Sequence, residues 1–181
     1  TAIGRALLAA FRIVRHRWRR EDLLTLLNSG FLPIASDTSS RIDLLARTHY
    51  LRDRRSTWLE GWPDAGTADA LHLALAPITA FDDRYRHGDA AEVLEAVRAL
   101  LAAFCTQAFP APPPLPDVAP EEARRDAERR AAFAAVTASL DELNGLHELL
   151  GHVSREEMIE TIAAALTGQS LPETAGAEGI R

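Results

Sequence analysis

Residues 3–27 read IGRALLAAFRIVRHRWRREDLLTLL, and this stretch decides the fold. Its first half repeats large apolar residues every three or four positions: Leu7, Phe11, Val14 and Trp18. This spacing is typical of one face of an α-helix and predicts a helix from about residue 3 to residue 19. Leucines between residues 23 and 27 predict a second helix. It should end near Gly30, because glycine suits the left-handed position that follows a helix.

Local start signals place several later helices. Ser39 or Ser40 is predicted to cap a third helix, whose apolar residues are Ile42, Leu44, Leu45 and Tyr50. A segment from Thr67 to about Arg86 also reads as helical, and Pro77 is expected to kink or divide it. Capping-box pairs mark two further helix starts: Asp89 with Glu92, and Ser154 with Glu157.

The domain organisation is predicted to be simple. Six prolines between residues 110 and 120 indicate a stiff, extended connector, and no alternation of apolar and polar residues indicates a β-strand. We predict an all-α fold, an irregular multi-helix accessory domain over residues 1–168, followed by a polar tail over residues 169–181. Because the chain starts at Thr1 and stops in mid-pattern, we expect it to be a piece of a larger protein.

Composition excludes several classes of protein. The 181 residues include no lysine, so all 20 basic residues are arginines. A P-loop, a Schiff-base enzyme and the usual PD-(D/E)xK nuclease centre all need a lysine, so we expect no such centre and no cofactor here. One cysteine, Cys105, excludes an internal disulfide and is typical of the reducing cytoplasm. No apolar run approaches the ~20 residues of a membrane-spanning helix, so a membrane partner is not expected.

Charge is distributed unevenly along the chain. Residues 1–60 carry 11 arginines and 6 acidic residues, whereas the rest carries 9 arginines and 20 acidic residues. Arg12, Arg15 and Arg19 share one sector of the predicted first helix. Guanidinium groups stay charged and bind phosphate through two parallel donors, so these three are predicted to contact the DNA backbone. Two alternatives to this DNA contact remain: the arginines form a solvated helix face, or they make ion pairs with the acidic half in a helical protein-interaction module.

A second basic patch contains aromatic residues. Three arginines at positions 52, 54 and 55 precede Trp58 and Trp62. Together they are suited to stacking on bases and binding phosphates. Tryptophans four residues apart on a helix are more often part of the core, and we favour that interpretation.

Residues 147–152 read HELLGH, which resembles the zinc signature of the dipeptidyl peptidase III family. The resemblance implies that His147 and His152 bind zinc and that Glu148 activates water, as in a zinc metallopeptidase. On a regular helix, however, residues five apart are separated by about 140° of rotation, so both histidines cannot hold one ion. The structural alternative is that His147 lies in an apolar seam and Gly151 ends the helix. We therefore predict no metal ligand and keep the peptidase as an alternative.

Three segments in order carry a second resemblance: WRREDLLTLLNSGFL at 18–32, RIDLLAR at 41–47 and RRSTWL at 54–59. This order resembles the accessory helical (2B-like) subdomain of helicase-nuclease proteins of the AddB/RecC type, relatives of the UvrD/Rep superfamily 1 helicases. The resemblance implies a non-catalytic subdomain of an ATP-dependent helicase/exonuclease for double-strand break repair and recombination. The implied partners are forked or duplex DNA, the remainder of the parent chain and a partner helicase/nuclease subunit.

Overall fold

The computed structural model describes residues 1–60, 62, 64–109, 120–150 and 153–168. Within these ranges the chain forms eight α-helices and no β-strand, which confirms the predicted all-α fold. In chain order the helices are α1 (Ala2–Arg15), α2 (Arg20–Leu27), α3 (Ser36–Thr48), α4 (Arg55–Leu59), α5 (Ala65–His87), α6 (Ala90–Ala108), α7 (Pro120–Leu150) and α8 (Arg155–Gly168). Residues 110–119 of the predicted connector and the predicted tail at 169–181 lie outside the described residues.

Helix α1 packs against α2, α5, α7 and α8. Its apolar residues recur at helical spacing, so one broad face points inward and is buried. Phe11 on this face meets Phe81 of α5, with ring centroids 5.6 Å apart. Full burial of a phenylalanine side chain stabilises a fold by roughly 1.5–3 kcal/mol, so this contact fixes α1 against α5.

Helix α6 organises the other half of the core, because it packs against α5, α7 and α8. Phe104 of α6 is fully buried, and its ring centroid lies 5.9 Å from that of Phe31, which follows α2. Phe133 of α7 packs on the same Phe31 ring at 5.9 Å and on Phe109 at 5.4 Å. The aromatic cluster therefore joins the α2–α3 connection to α6 and α7.

Several predicted helix ends are confirmed. Gly30 has a φ of +77°, the left-handed conformation expected after α2. Asp89 and Glu92 form a complete capping box at the start of α6. At the start of α8, Ser154 Oγ accepts from the Glu157 amide and the Glu157 carboxylate accepts from the Ser154 amide. These signals are local, so the sequence alone predicts them well.

Other predicted boundaries were wrong. The first helix ends at Arg15 instead of residue 19, because the chain turns sharply there. The third begins at Ser36; Ser39 does not cap it, since its buried hydroxyl donates to Asn28 Oδ1 at 2.7 Å. Helix α5 runs through Pro77 without a division, because its neighbours Leu75 and Ile78 are held in the core.

Candidate nucleic-acid interface

The three arginines predicted to contact DNA do not form one helical stripe. Arg12 and Arg15 lie on α1, whereas Arg19 lies beyond the helix end, directly before α2. Arg12 Nε is 3.4 Å from Asp22 Oδ1, and an Arg15 nitrogen is 3.1 Å from Glu160 Oε1. Two of the three thus have acidic partners, but only Glu160 lies in the acidic half of the chain that the ion-pair interpretation names. Arg19 has none among the residues that the structure describes.

Helix α1 ends in a Schellman motif with an arginine in the position that glycine usually takes. The Trp18 amide donates to the Ile13 carbonyl at 2.7 Å, and the Arg17 amide donates to the Val14 carbonyl at 3.4 Å. Arg17 and Trp18 have φ values of +56° and +64°. This conformation costs a residue with a side chain roughly 1–2 kcal/mol, so tertiary contacts must hold the turn.

A buried carboxylate holds this turn. Trp18 and Asp82 are both 0% exposed, and Trp18 Nε1 donates to Asp82 Oδ2 at 3.0 Å. Asp82 Oδ1 accepts from Arg86 Nε at 2.7 Å, and Arg55 of α4 lies 3.6 Å from Asp82 Oδ2. The Arg55 guanidinium also donates to Asp83, which holds the pKa of that carboxyl below its usual value. Asp82 therefore ties the α1–α2 turn and α4 to α5.

Helix α3 ends in a second Schellman motif, with Tyr50 in the glycine position. The Leu51 amide donates to the Ala46 carbonyl at 2.8 Å, and the Tyr50 amide donates to the Arg47 carbonyl at 3.2 Å. Tyr50 has a φ of +55° and is 80% exposed. The sequence pattern placed Tyr50 on the apolar face of the third helix, and this prediction was wrong. Its strained backbone is not offset by burial of the ring.

The two turns are joined to each other by backbone hydrogen bonds. The Arg20 amide donates to the Arg52 carbonyl at 2.9 Å, and the Arg54 amide donates to the Arg17 carbonyl at 2.8 Å. In the described part of the chain, every non-glycine residue with a positive φ lies in these two turns: Arg17, Trp18, Tyr50 and Arg54. Concentrated backbone strain of this kind is a feature of functional sites.

The joined turns carry a concentration of arginines without acidic partners. We call residues 16–20 together with residues 49–55 the paired-loop surface. Among the described residues, five of its arginines make no ion pair and no side-chain hydrogen bond: Arg17, Arg19, Arg20, Arg52 and Arg54. All are exposed except the half-buried Arg20. They line two surface clefts of about 550 Å³ and 630 Å³. Arginines outnumber acidic residues in the lining of both clefts, and an excess of positive charge attracts an anionic ligand.

The predicted patch of arginines and tryptophans is only partly formed. Trp58 is fully buried, which confirms the core interpretation for this residue. Trp62 is half-buried against it, with ring centroids 5.9 Å apart, and its Nε1 donates to the Trp58 carbonyl. The Arg55 guanidinium forms an ion pair with Asp83, whereas Arg52 and Arg54 are exposed. The two tryptophans therefore pack against each other, and the ring of Trp58 is not accessible for stacking on a base.

The HELLGH motif falls at the end of α7. The helix ends at Leu150, and the half-buried His147 lies in its last turn. His152 lies outside the described residues, as does the Glu148 side chain. Among the residues that are described, no group of three histidine, cysteine or acidic side chains is arranged to hold a metal ion.

Neither Asp82 nor Tyr50 was predicted from the sequence to belong to the candidate interface. A signal for Asp82 was present, because it follows Leu75 and Ile78 at the spacing of one apolar helix face. A carboxylate on such a face needs a buried partner. No comparable signal exists for Tyr50, which continues the apolar spacing of α3 and is exposed only because the helix ends two residues earlier.

Comparison of the chain with known protein families, with curated proteins and with solved structures found no match. Within the described residues, no helix combines the length and the apolar character needed to cross a bilayer.

Proposed function

We propose that this chain is a non-catalytic helical subdomain of an ATP-dependent helicase/nuclease that processes DNA double-strand breaks, and that it contacts the DNA backbone. The observation that carries the DNA contact is the paired-loop surface, with five arginines that no acidic side chain neutralises among the described residues. The protein class rests on the resemblance of the segments at 18–32, 41–47 and 54–59. The first and last of these segments contribute directly to the paired-loop surface.

Phosphate is the ligand that suits this surface. Arginine is permanently charged, and its planar donors match two phosphate oxygens at once. The backbone hydrogen bonds between the turns and the buried Trp18–Asp82 contact hold the arginine backbones in a fixed arrangement. A preorganised cationic surface binds phosphate with a smaller entropic cost than flexible side chains on a loose loop.

Arg12 and Arg15 have a smaller part in this proposal than Arg19. Both already pair with a carboxylate, so a phosphate would have to replace Asp22 or Glu160. Arg19 belongs to the paired-loop surface and needs no such exchange. We therefore expect Arg19, Arg52 and Arg54 together to contribute more to DNA affinity than Arg12 and Arg15.

Fluorescence anisotropy of a labelled forked duplex, titrated with the chain from low to moderate salt, tests the proposal. The triple variant Arg19/Arg52/Arg54→Ala should bind more weakly. Its plot of log affinity against log salt should be shallower by about 2–3, since each lost phosphate contact removes about 0.9 from the slope. The double variant Arg12/Arg15→Ala should show a smaller loss.

The matched control is Arg124/Arg125→Ala on α7, which removes two exposed arginines far along the chain from the paired-loop surface. Its affinity should stay within about twofold of the unmodified chain. Losses in proportion to the charge removed, two arginines in the control and three in the triple variant, would show that binding follows total charge only. Absence of binding at low salt would refute the DNA contact and favour a protein-interaction module, whose binding to a protein partner would be insensitive to salt.

A further inference from the structure

We propose that the cleft beside Tyr50 binds an unpaired nucleotide of single-stranded DNA, with the tyrosine ring stacked on the base and neighbouring arginines on the phosphates. This inference rests on the proposed function and names the form of DNA that the paired-loop surface recognises.

Burial of the ring does not explain the position of Tyr50. The left-handed residue that ends a helix is usually glycine, since any side chain there strains the backbone. Tyr50 has a φ of +55° and is 80% exposed, so the ring adds little to the core that would offset this strain. A strained, exposed aromatic residue at the mouth of a cleft is typical of a ligand contact.

The cleft has the size and charge of a nucleotide site. Its volume is about 550 Å³, within the usual range of small-ligand pockets. Besides Tyr50 it is lined by four arginines, at positions 19, 20, 47 and 52, which can contact the phosphates on either side of a stacked base. Arg47 pairs with Asp43, whereas the other three have no acidic partner within the part of the chain that the structure describes.

Two carboxylates also line this cleft, Glu21 and Asp53. A carboxylate repels phosphate, but it accepts hydrogen bonds from the N–H groups on the edge of an unpaired base, including the N3–H of thymine. Their presence beside Tyr50 therefore suits a site that receives a base as well as a backbone.

The exposed ring of Tyr50 favours single-stranded DNA over duplex DNA. In a duplex each base face is covered by its neighbours, whereas a single strand can turn a base out onto an aromatic side chain. An acidic peptide could pair with the arginines, but it has no planar ring to stack on Tyr50. We therefore favour single-stranded DNA and include an acidic peptide in the test.

The experiment measures binding of the 181-residue chain to three labelled probes at fixed low salt: a 15-nucleotide thymidine strand, an abasic strand of equal length and a duplex of equal length. Tyr50→Asn removes the ring, and asparagine tolerates the left-handed backbone, so the turn is kept. Tyr50→Phe keeps the ring. Leu44→Asn is the matched control, since Leu44 is an exposed apolar residue on the adjoining α3. Circular dichroism confirms that each variant is folded.

The expected result is a loss of roughly 5- to 100-fold in affinity for the thymidine strand in Tyr50→Asn. Tyr50→Phe and Leu44→Asn should stay within about twofold. Affinity for the abasic strand and for the duplex should be unchanged in every variant, because neither offers a free base to stack.

Three results would overturn the inference. If Tyr50→Asn binds the thymidine strand as the unmodified chain does, while Arg19/Arg52/Arg54→Ala loses binding, the DNA contact stands and the stacking site is wrong. If polyglutamate of equal charge competes as well as the thymidine strand, the site recognises acidic peptide. If neither strand nor duplex binds, the proposed function fails together with the inference.

Discussion

Replacement of Asp82 by alanine tests whether the buried carboxylate holds the paired-loop surface together. Trp18 Nε1 would lose its acceptor in a fully buried site, which costs about 1–3 kcal/mol. Arg86 and Arg55 would lose a partner too, but their side chains are 45% and 29% exposed. Water replaces part of each contact, so each adds less than about 1 kcal/mol. We expect the free energy of unfolding to fall by about 2–4 kcal/mol.

Urea and thermal unfolding followed by circular dichroism and tryptophan fluorescence measure this loss. For a chain of this size, 1 kcal/mol corresponds to about 2–4 °C in Tm, so the expected decrease is about 4–16 °C. Asp83→Ala is the matched control. It removes the same charge from the next residue of α5, but the Asp83 side chain is 53% exposed, so its loss should stay within about 1 kcal/mol.

DNA affinity, measured well below the unfolding temperature, provides a second test, because electrostatics and the anchoring role predict opposite changes in the affinity of Asp82→Ala. Removal of a carboxylate near a phosphate-binding surface should strengthen DNA binding by electrostatics alone. Asp83→Ala should do so because it removes one of the two carboxylates that pair with Arg55. Asp82→Ala should instead weaken binding, because the turn that carries Arg17 and Arg19 loses its anchor at Trp18. Equal stability losses in the two variants, or stronger DNA binding in Asp82→Ala, would refute the anchoring role.

Three further predictions concern stability. Tyr50→Gly relieves the left-handed backbone and should raise the free energy of unfolding by up to about 1 kcal/mol in urea titrations; a decrease would mean that the ring itself stabilises the fold. Asp89→Ala removes the acceptor of the Glu92 amide and should cost about 1 kcal/mol, seen as a lower urea midpoint; an unchanged midpoint would contradict the capping role. Hydrogen bonds from Ser154 hold the pKa of Glu157 in the folded chain below its usual 4.5. The ionised Glu157 therefore stabilises the fold at pH values above the pKa of the unfolded chain, and this contribution is lost as the pH falls through the lower pKa of the folded chain. The Tm of the unmodified chain should therefore fall more steeply between pH 5 and pH 3 (about the range of carboxyl titration) than that of Glu157→Gln, and parallel profiles would exclude the contribution.

The sequence by itself determined the all-α fold and many of its helix ends. Apolar spacing of three and four residues indicates most of the helices, and the capping pairs at 89 and 154 together with Gly30 act within a few residues of chain. Such signals do not depend on distant contacts, so they can be read without the tertiary structure. The concentration of arginines before residue 60 was likewise visible in the sequence, and the paired-loop surface lies within this part of the chain.

Only the tertiary structure decided where α1 ends and how the arginines are arranged. Helical periodicity continued the first helix to residue 19 and placed Arg12, Arg15 and Arg19 in one stripe. The chain instead turns after Arg15, because Trp18 reaches a buried carboxylate 64 residues away at Asp82. A hydrogen bond between residues so far apart has no local signature. Together with the full burial of the Trp18 side chain, it offsets the strain of two left-handed residues. Backbone hydrogen bonds between Arg20 and Arg52 and between Arg54 and Arg17 then place the turn at residues 16–20 beside the turn at 49–55, where the arginines meet.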